Sequence, residues 1–313
     1  MLYRRLLSAF VLISVSLFLI GLDLWLPIAG QAGVWMIPLY LFMTLGTATE
    51  VSQLLAKRWP IRVKSVLVHC TIASCVMLFP IWFSVVMGKT YPVVCPVGRT
   101  GWVLIGLLTG VGCSGLEAMW RFSKVPLTLD ASENAVESER TTLGWMLSSF
   151  VITYVVGCLS FWFLVRMLGS SLDGMLHLIA LLAIIKFADA GAYFAGKSFG
   201  RHRLIPAISP GKTIEGLIGG MLLSIVVAYF FLRALLPWCG VPGGGFVWGP
   251  ALLGCLLTLV GLVGDLLESM VKRTVGAKDS GALLPGLGGV WDVTDSLLLT
   301  AIVGYLGIVA KLT

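Results

Sequence analysis

The chain has 313 residues, of which 58% are hydrophobic and 12% charged, with a net charge of +7 and a mean hydropathy of +0.98. A soluble domain carries about 25% charged residues, so this composition excludes one and points to an integral membrane protein. Apolar runs of about 20 residues suit helices crossing a ~30 Å hydrocarbon core, whereas the ~10-residue alternating strands of a membrane barrel are not visible. The expected fold is all-α, a polytopic membrane helical bundle of about nine transmembrane helices. The positive charge does not call for nucleic acid, because the basic residues cluster in short loops beside the spans, where topology demands them.

Arg4 and Arg5 precede the first apolar run, 6–22, which reads as an uncleaved span rather than a removed signal peptide. Further spans are expected near 34–55, 65–88, 101–120, 143–168, 174–194, 214–236, 247–268 and 290–310. The connection 121–142 mixes both charge signs and is expected to be a solvated loop with a short surface helix. Residues 1–142 thus carry N-terminal spans and this loop, and residues 143–313 carry the polar motifs, within one membrane domain. With the N-terminus inside, 16 lysines and arginines fall on the inner face and five on the outer, with Lys186 inside a span. That bias predicts an inner (plasma) membrane protein whose polar motifs face the cytoplasm. Glu50 and Glu117 fall near inner span ends, where each pairs with a neighbouring helix or lines a polar funnel. Most of the seven cysteines lie in apolar runs as small hydrophobes, and only Cys95 and Cys239 fall in loops.

Two polar stretches carry chemistry. The first is 186–220, KFADAGAYFAGKSFGRHRLIPAISPGKTIEGLIGG. Asp189 and Tyr193 lie one helical turn apart, so both can face the bundle interior. Ser209-Pro210 reads as a helix start, which would put Lys212 and Thr213 in a first turn whose free N–H groups favour anions. Gly211-Lys212-Thr213 is not a P-loop, because that motif needs glycine where Pro206 stands.

The second stretch, 264–296, reads GDLLESMVKRTVGAKDSGALLPGLGGVWDVTDS. Asp265, Ser269 and Lys272 share one helix face, with Glu268 close to it. Asp292 and Asp295 begin the final span. Carboxylates on facing helices suit Mg²⁺, which takes one or two of them together with water and substrate phosphates. The alternative is that these aspartates only cap helices and balance Lys272, Arg273 and Lys278, but so many charges at a membrane edge are costly without a function.

Ser269-Met-Val-Lys272-Arg273, Lys278-Asp279-Ser-Gly281, Leu284-Pro285, Gly288-Gly289, Asp292 and Asp295 resemble the signature of phosphatidate cytidylyltransferases, the CDP-diacylglycerol synthases. Asp189-Ala-Gly-Ala-Tyr193 and Ser209-Pro-Gly-Lys-Thr213-Ile-Glu215-Gly216 resemble that family's upstream motifs. Two positions depart from the pattern: Leu287 stands where the family usually has histidine, and Val293 where it usually has arginine.

The resemblance implies attack of phosphatidate on the α-phosphorus of CTP, giving CDP-diacylglycerol and pyrophosphate at the lipid bilayer. Asp265 and Asp292 are then the expected Mg²⁺ ligands, with Asp295 and Asp279 as secondary ligands or orienting groups. Lys272, Arg273, Lys278 and Lys212 would hold phosphates, and Ser209, Thr213 and Ser269 would line the nucleotide or lipid phosphate. Other readings stay open: a CTP-dependent transferase acting on another lipid phosphate or a polyprenol, a transporter built on Asp189, or a non-catalytic scaffold. Acyl-chain preference, the choice of CTP or dCTP, a monovalent cation and a homodimer are all left open.

Overall fold

The computed structural model describes residues 2–28, 30–89, 91–92, 95–124 and 131–313. Twelve α-helices and one two-stranded hairpin account for nearly all the regular structure among these residues. Among the described residues, seven helices are long and apolar enough to cross a membrane, or eight if one bent pair counts as a span. The protein is therefore a multi-pass membrane protein. The chain divides into two compact units, each assembled from two sequence segments.

The first unit comprises 1–160 and 274–292. Helix α1 (Leu2–Trp25) leaves large apolar side chains such as Phe10, Ile13 and Leu17 exposed, as a lipid-facing span requires. Fully buried Asp23 accepts from the N–H groups of Gly33 and Trp35 and ties down the turn that follows. Helix α2 (Ile37–Ala56) is 20 residues long but does not pass as a candidate span, and it carries Thr44, Thr47, Thr49, Glu50 and Ser52. Those polar residues account for the difference between up to eight apolar spans among the described residues and the about nine expected from the apolar runs. Helices α3 (Val63–Met77) and α4 (Phe79–Met87) form the bent pair, 56° apart, at a break followed by Pro80.

Helix α5 (Gly98–Phe122) packs on α3, and α6 (Ala131–Val151) packs on α5. The span containing α6 is longer than expected. It runs from Ser132 through a π-helical turn, Ile152–Gly157, to the end of α7 (Cys158–Arg166). The expected loop at 121–142 is therefore helical from Ala131 onward. Its alanines and glutamates favour helix, and Glu133 in the first turn complements the dipole. Residues 125–130 of that loop lie outside the described residues.

The second unit comprises 161–273 and 293–313. Helix α8 (Ser171–Phe199) opens with a capping box in which Ser170 and Asp173 satisfy each other's backbone N–H. It is followed by strands β1 (Arg203–Ile205) and β2 (Ser209–Thr213), paired antiparallel with a bulge. The helix start predicted at Ser209-Pro210 is thus a strand. Thr213, not Ser209, caps helix α9 (Ile214–Tyr229), its Oγ1 accepting from Gly216 N at 3.1 Å. Pro210 is tolerated because a two-stranded hairpin consists only of edges. A second π-helical turn, Phe230–Leu235, and the short α10 (Leu236–Trp238) complete that span. Helices α11 (Gly249–Thr274) and α12 (Trp291–Val309) supply the remaining spans.

Candidate active site

In the second unit the carboxylates gather where α11 meets α12. Gly264 allows the meeting, because a Cβ there would collide with the carbonyl of Asp295. The next residue, Asp265, is thereby brought beside Asp295. Candidate ligand oxygens of Asp265, Glu268 and Asp295 all lie within 4.8 Å of one another, and Glu268 is buried at 2% exposure. Three carboxylates this close repel unless cations or protons intervene. Lysines supply part of the compensation. Lys272 Nζ lies 3.0 Å from Glu268 Oε2, and Lys212 Nζ lies 2.7 Å from Asp265 Oδ2.

Lys212 reaches Asp265 from the β1–β2 hairpin rather than from a helix. Its ammonium is shielded from solvent and makes no hydrogen bond to another protein group among the described residues. Lys186 on α8 donates to Asp189 Oδ2 at 3.4 Å and to Ser296 Oγ at 3.2 Å. Asp189 lies within electrostatic reach of Asp265 and Lys212. The cluster therefore holds four carboxylates (Asp189, Asp265, Glu268, Asp295) and three ammonium groups (Lys186, Lys212, Lys272). Converging acidic oxygens beside lysines fit a hard divalent cation together with a polyphosphate.

The first unit uses its carboxylates differently. Glu50, on α2 and only 1% exposed, accepts from Ser280 Oγ at 3.0 Å, Val290 N at 3.0 Å and Trp291 N at 2.8 Å. It therefore caps the start of α12 from another helix, matching a negative charge to the dipole's positive end. Asp292 Oδ2 accepts from Ser280 N at 3.1 Å, Ser280 Oγ at 2.8 Å and Gly289 N at 2.6 Å. Ser280 has one hydroxyl proton for two carboxylates, so it donates to one at a time. Gly281 and Gly289 are required here, because a Cβ on either would overlap the Glu50 carboxylate. The 284–288 turn closes through mutual backbone hydrogen bonds between Leu284 and Gly288, and Ser8 Oγ donates to Pro285 O at 2.7 Å.

The residues predicted from sequence thus fall into three groups. Asp265, Asp295, Lys212 and Lys272 converge, and Ser269 Oγ sits 3.5 Å from Asp265 Oδ1. Asp292 is engaged by the loop that precedes it. Arg273 is exposed at the end of α11, Lys278 and Asp279 are exposed on the 275–290 loop, and Ser209 is half-buried in β2. Thr213 is buried as a helix cap. Tyr193 is 61% exposed and Asp189 is exposed as well, so neither lies on a packed interior face. Glu50 shows in the sequence only as a charge in an apolar run; its clamp joins residues 230 to 241 positions apart.

Carboxylates and lysines converging among membrane helices and a hairpin fit the class of membrane-embedded phosphoryl- or nucleotidyl-handling proteins. The model of the cytidylyltransferase family matches residues 4–310, and the chain belongs to that family. It is 45% identical over 138 residues to a phosphatidate cytidylyltransferase of Brucella suis biovar 1 (strain 1330), covering 44% of this chain and 48% of that protein. It is 46% identical over 142 residues to a phosphatidate cytidylyltransferase of Synechocystis sp. (strain ATCC 27184 / PCC 6803 / Kazusa), covering 44% and 45%. A protein of Escherichia coli (strain K12) named as the uncharacterized protein YnbB is 37% identical over 158 residues, covering 50% and 49%. The chain spans about half the length of the curated relatives it matches.

Proposed function

We propose that this protein transfers a cytidylyl group from CTP to phosphatidate, giving CDP-diacylglycerol and pyrophosphate, at the cytoplasmic face of a bacterial inner membrane. The observation that carries the reading is the convergence of Asp265 and Glu268 with Asp295, Lys212 and Lys272, the last three being residues that bear the resemblance. In the reaction, a phosphatidate oxygen forms a bond to the α-phosphorus of CTP. The α–β bridging bond breaks, and its electron pair leaves with pyrophosphate. The lipid phosphate is itself the nucleophile, so no covalent enzyme intermediate is needed.

Asp265, with Glu268 and Asp295 beside it, would hold Mg²⁺. Asp292 remains a proposed member of the metal site from its sequence position, and its three donors from Ser280 and Gly289 give it a bracing role as well. When bound, Mg²⁺ neutralises charge on the phosphates. Lys212 and Lys272, already facing acidic partners, would exchange part of those contacts for phosphate oxygens. Arg273 and Lys278, being exposed, would collect the triphosphate or the lipid phosphate. Positioning and charge neutralisation suffice for displacement at phosphorus. Leu287 and Val293 are both half-buried and add neither a charge nor a side-chain hydrogen-bond donor, which favours altered preference for the lipid phosphate as the second reading.

Purified full-length protein with labelled CTP, Mg²⁺ and phosphatidate tests the proposal, with labelled CDP-lipid and pyrophosphate as the expected products. Failure to form CDP-lipid from any phosphatidate, with formation from another lipid phosphate, would transfer the reading to that substrate. Failure with every lipid phosphate would overturn it.

A further inference from the structure

The first unit contains a cavity of about 1010 Å³, lined by residues 60–62, the start of α3, the end of α5 and α6 from Ser132 to Ser148. A second cavity of about 660 Å³ shares Arg62, Ser65, Glu117 and Arg121 with it. Neither is lined by any residue of the candidate active site. Two glycines shape the walls. A Cβ on Gly144 would collide with the carbonyl of Pro60, and one on Gly115 would press on the Trp145 indole at 3.2 Å. Helix α6 can therefore rest against the 57–62 loop with Trp145 laid along α5.

The charges around this space are unevenly matched. Glu117 pairs with Arg121, accepts from Ser65 Oγ and lies 3.5 Å from His69 Nε2. Arg121 Nη2 also donates to Ser65 Oγ at 3.1 Å. Arg140 lies 3.8 Å from Glu137. With those two acids committed, Arg62, Lys64 and Lys124 remain against Glu133 alone, and none of the three cations has a carboxylate within ion-pair distance among the described residues. Lys124 sits 3.5 Å above the Trp120 ring, which shields one side of it without neutralising it. His69, 6% exposed, lines the smaller cavity, and its Nδ1 has no hydrogen-bond partner.

Three exposed cations on one groove, none with a carboxylate partner among the described residues, favour an anionic ligand there. Arg62 presents a planar fork suited to two oxygens of one phosphate. The volume is at the upper end of the roughly 300–1,000 Å³ typical of small-molecule sites, more than a bare phosphate needs. Trp120 and Trp145 are of the type that anchors at the headgroup level of a bilayer. We propose that these joined cavities bind a phosphate group, carried by the headgroup of an anionic phospholipid, at a site separate from the catalytic carboxylates.

Phosphatidylglycerol is the probe, because its phosphate is a diester and cannot act as phosphatidate does in the proposed reaction. The full chain is placed in phosphatidylcholine nanodiscs containing a photoactivatable phosphatidylglycerol. Crosslinks are expected in 57–65, 114–124 and 132–148, and Arg62→Gln with Lys124→Gln should reduce them at least about tenfold, the order expected for lost charge-assisted contacts. Unchanged thermal unfolding and CDP-lipid synthesis in that variant would show that neither the fold nor the catalytic site had been damaged. In a second arm, labelled inorganic phosphate is added to delipidated protein. Phosphate binding that the same substitutions abolish, without lipid crosslinking, would keep the phosphate site and assign it to a free anion. Crosslinking unaffected by the substitutions, or no binding of either probe, would overturn the proposal.

Discussion

Glu50 and Asp292 in the first unit and Asp265, Glu268 and Asp295 in the second are all carboxylates on apolar helices, yet their surroundings differ in kind. The first pair is met by hydrogen-bond donors: backbone N–H groups of residues 280, 289, 290 and 291, and the Ser280 hydroxyl. The second set has few such donors, Ser296 N to Asp295 and Ser269 Oγ to Asp265, and is met chiefly by other carboxylates and by lysines. A carboxylate saturated by fixed dipoles is stable as it stands and holds its loop in place. Carboxylates that converge on one another are stable only with mobile positive charge between them. The difference separates residues that shape the Gly-rich loop from residues proposed to hold a cation and a phosphate.

The largest expected effect breaks the second set. Asp265→Asn or Asp295→Asn should lower CDP-lipid formation at least about 100-fold while leaving the protein extractable and folded, because even disturbing a metal ligand's support can cost that much. Activity near wild type in either variant would remove that residue from the site. Asp292→Asn separates its two roles. Turnover should fall, but the Mg²⁺ concentration needed for half-maximal activity should rise less than in Asp265→Asn, because Asp292 also braces the loop.

Breaking the first set should appear as lost stability. Glu50→Ala strands the N–H groups of Val290 and Trp291 and leaves the Ser280 hydroxyl only Asp292 as acceptor, and the expected cost is about 3–5 kcal/mol in unfolding. Glu50→Gln should cost less, since it keeps one acceptor oxygen and the shape. Equal stability of Glu50→Ala and wild type would show that the clamp does not hold the loop. A smaller effect is expected from Lys212→Gln, which removes the cation facing Asp265. It should raise the apparent KM for CTP several-fold, by about 1 kcal/mol of lost phosphate contact.

The smallest effect tests the same principle, a donor stabilising an anion, outside the spans. The Tyr91 hydroxyl donates to Cys95 Sγ at 2.8 Å and holds the thiol below its ordinary pKa, with further help from the backbone N–H groups nearby. A lower pKa means more thiolate near neutral pH, so Cys95 should alkylate readily there. Tyr91→Phe should shift the pH dependence of labelling upward, and an unmoved pH profile would show that the hydrogen bond does not tune the thiol.

Much of the second set was legible in the sequence because its residues lie in short, regularly spaced motifs. Asp265, Ser269 and Lys272 sit at helical spacing, and Asp295 follows from the same signature. The contact between Lys212 and Asp265 was not legible, since it depends on a hairpin whose pairing overrides the helix-start signal at Ser209-Pro210. Nor was the role of Glu50. A single glutamate in an apolar run shows its cost but not its partners, which come from a loop more than 200 residues away. The glycines at 281 and 289 were visible as part of a motif, but their reason, room for a carboxylate from α2, belongs to the tertiary structure. The first turns of α6 were anticipated only as a short surface helix within a charged loop, and their continuity with the span that follows was missed.

The most direct measurement is Mn²⁺ binding to the purified full chain, followed by electron paramagnetic resonance with Mn²⁺ in place of Mg²⁺. Specific binding is expected in wild type and in Glu50→Gln, with at least about tenfold weaker binding in Asp265→Asn and Asp295→Asn. Wild-type affinity in both aspartate variants, or loss of the metal in Glu50→Gln alone, would contradict the division between cation-holding and loop-holding carboxylates.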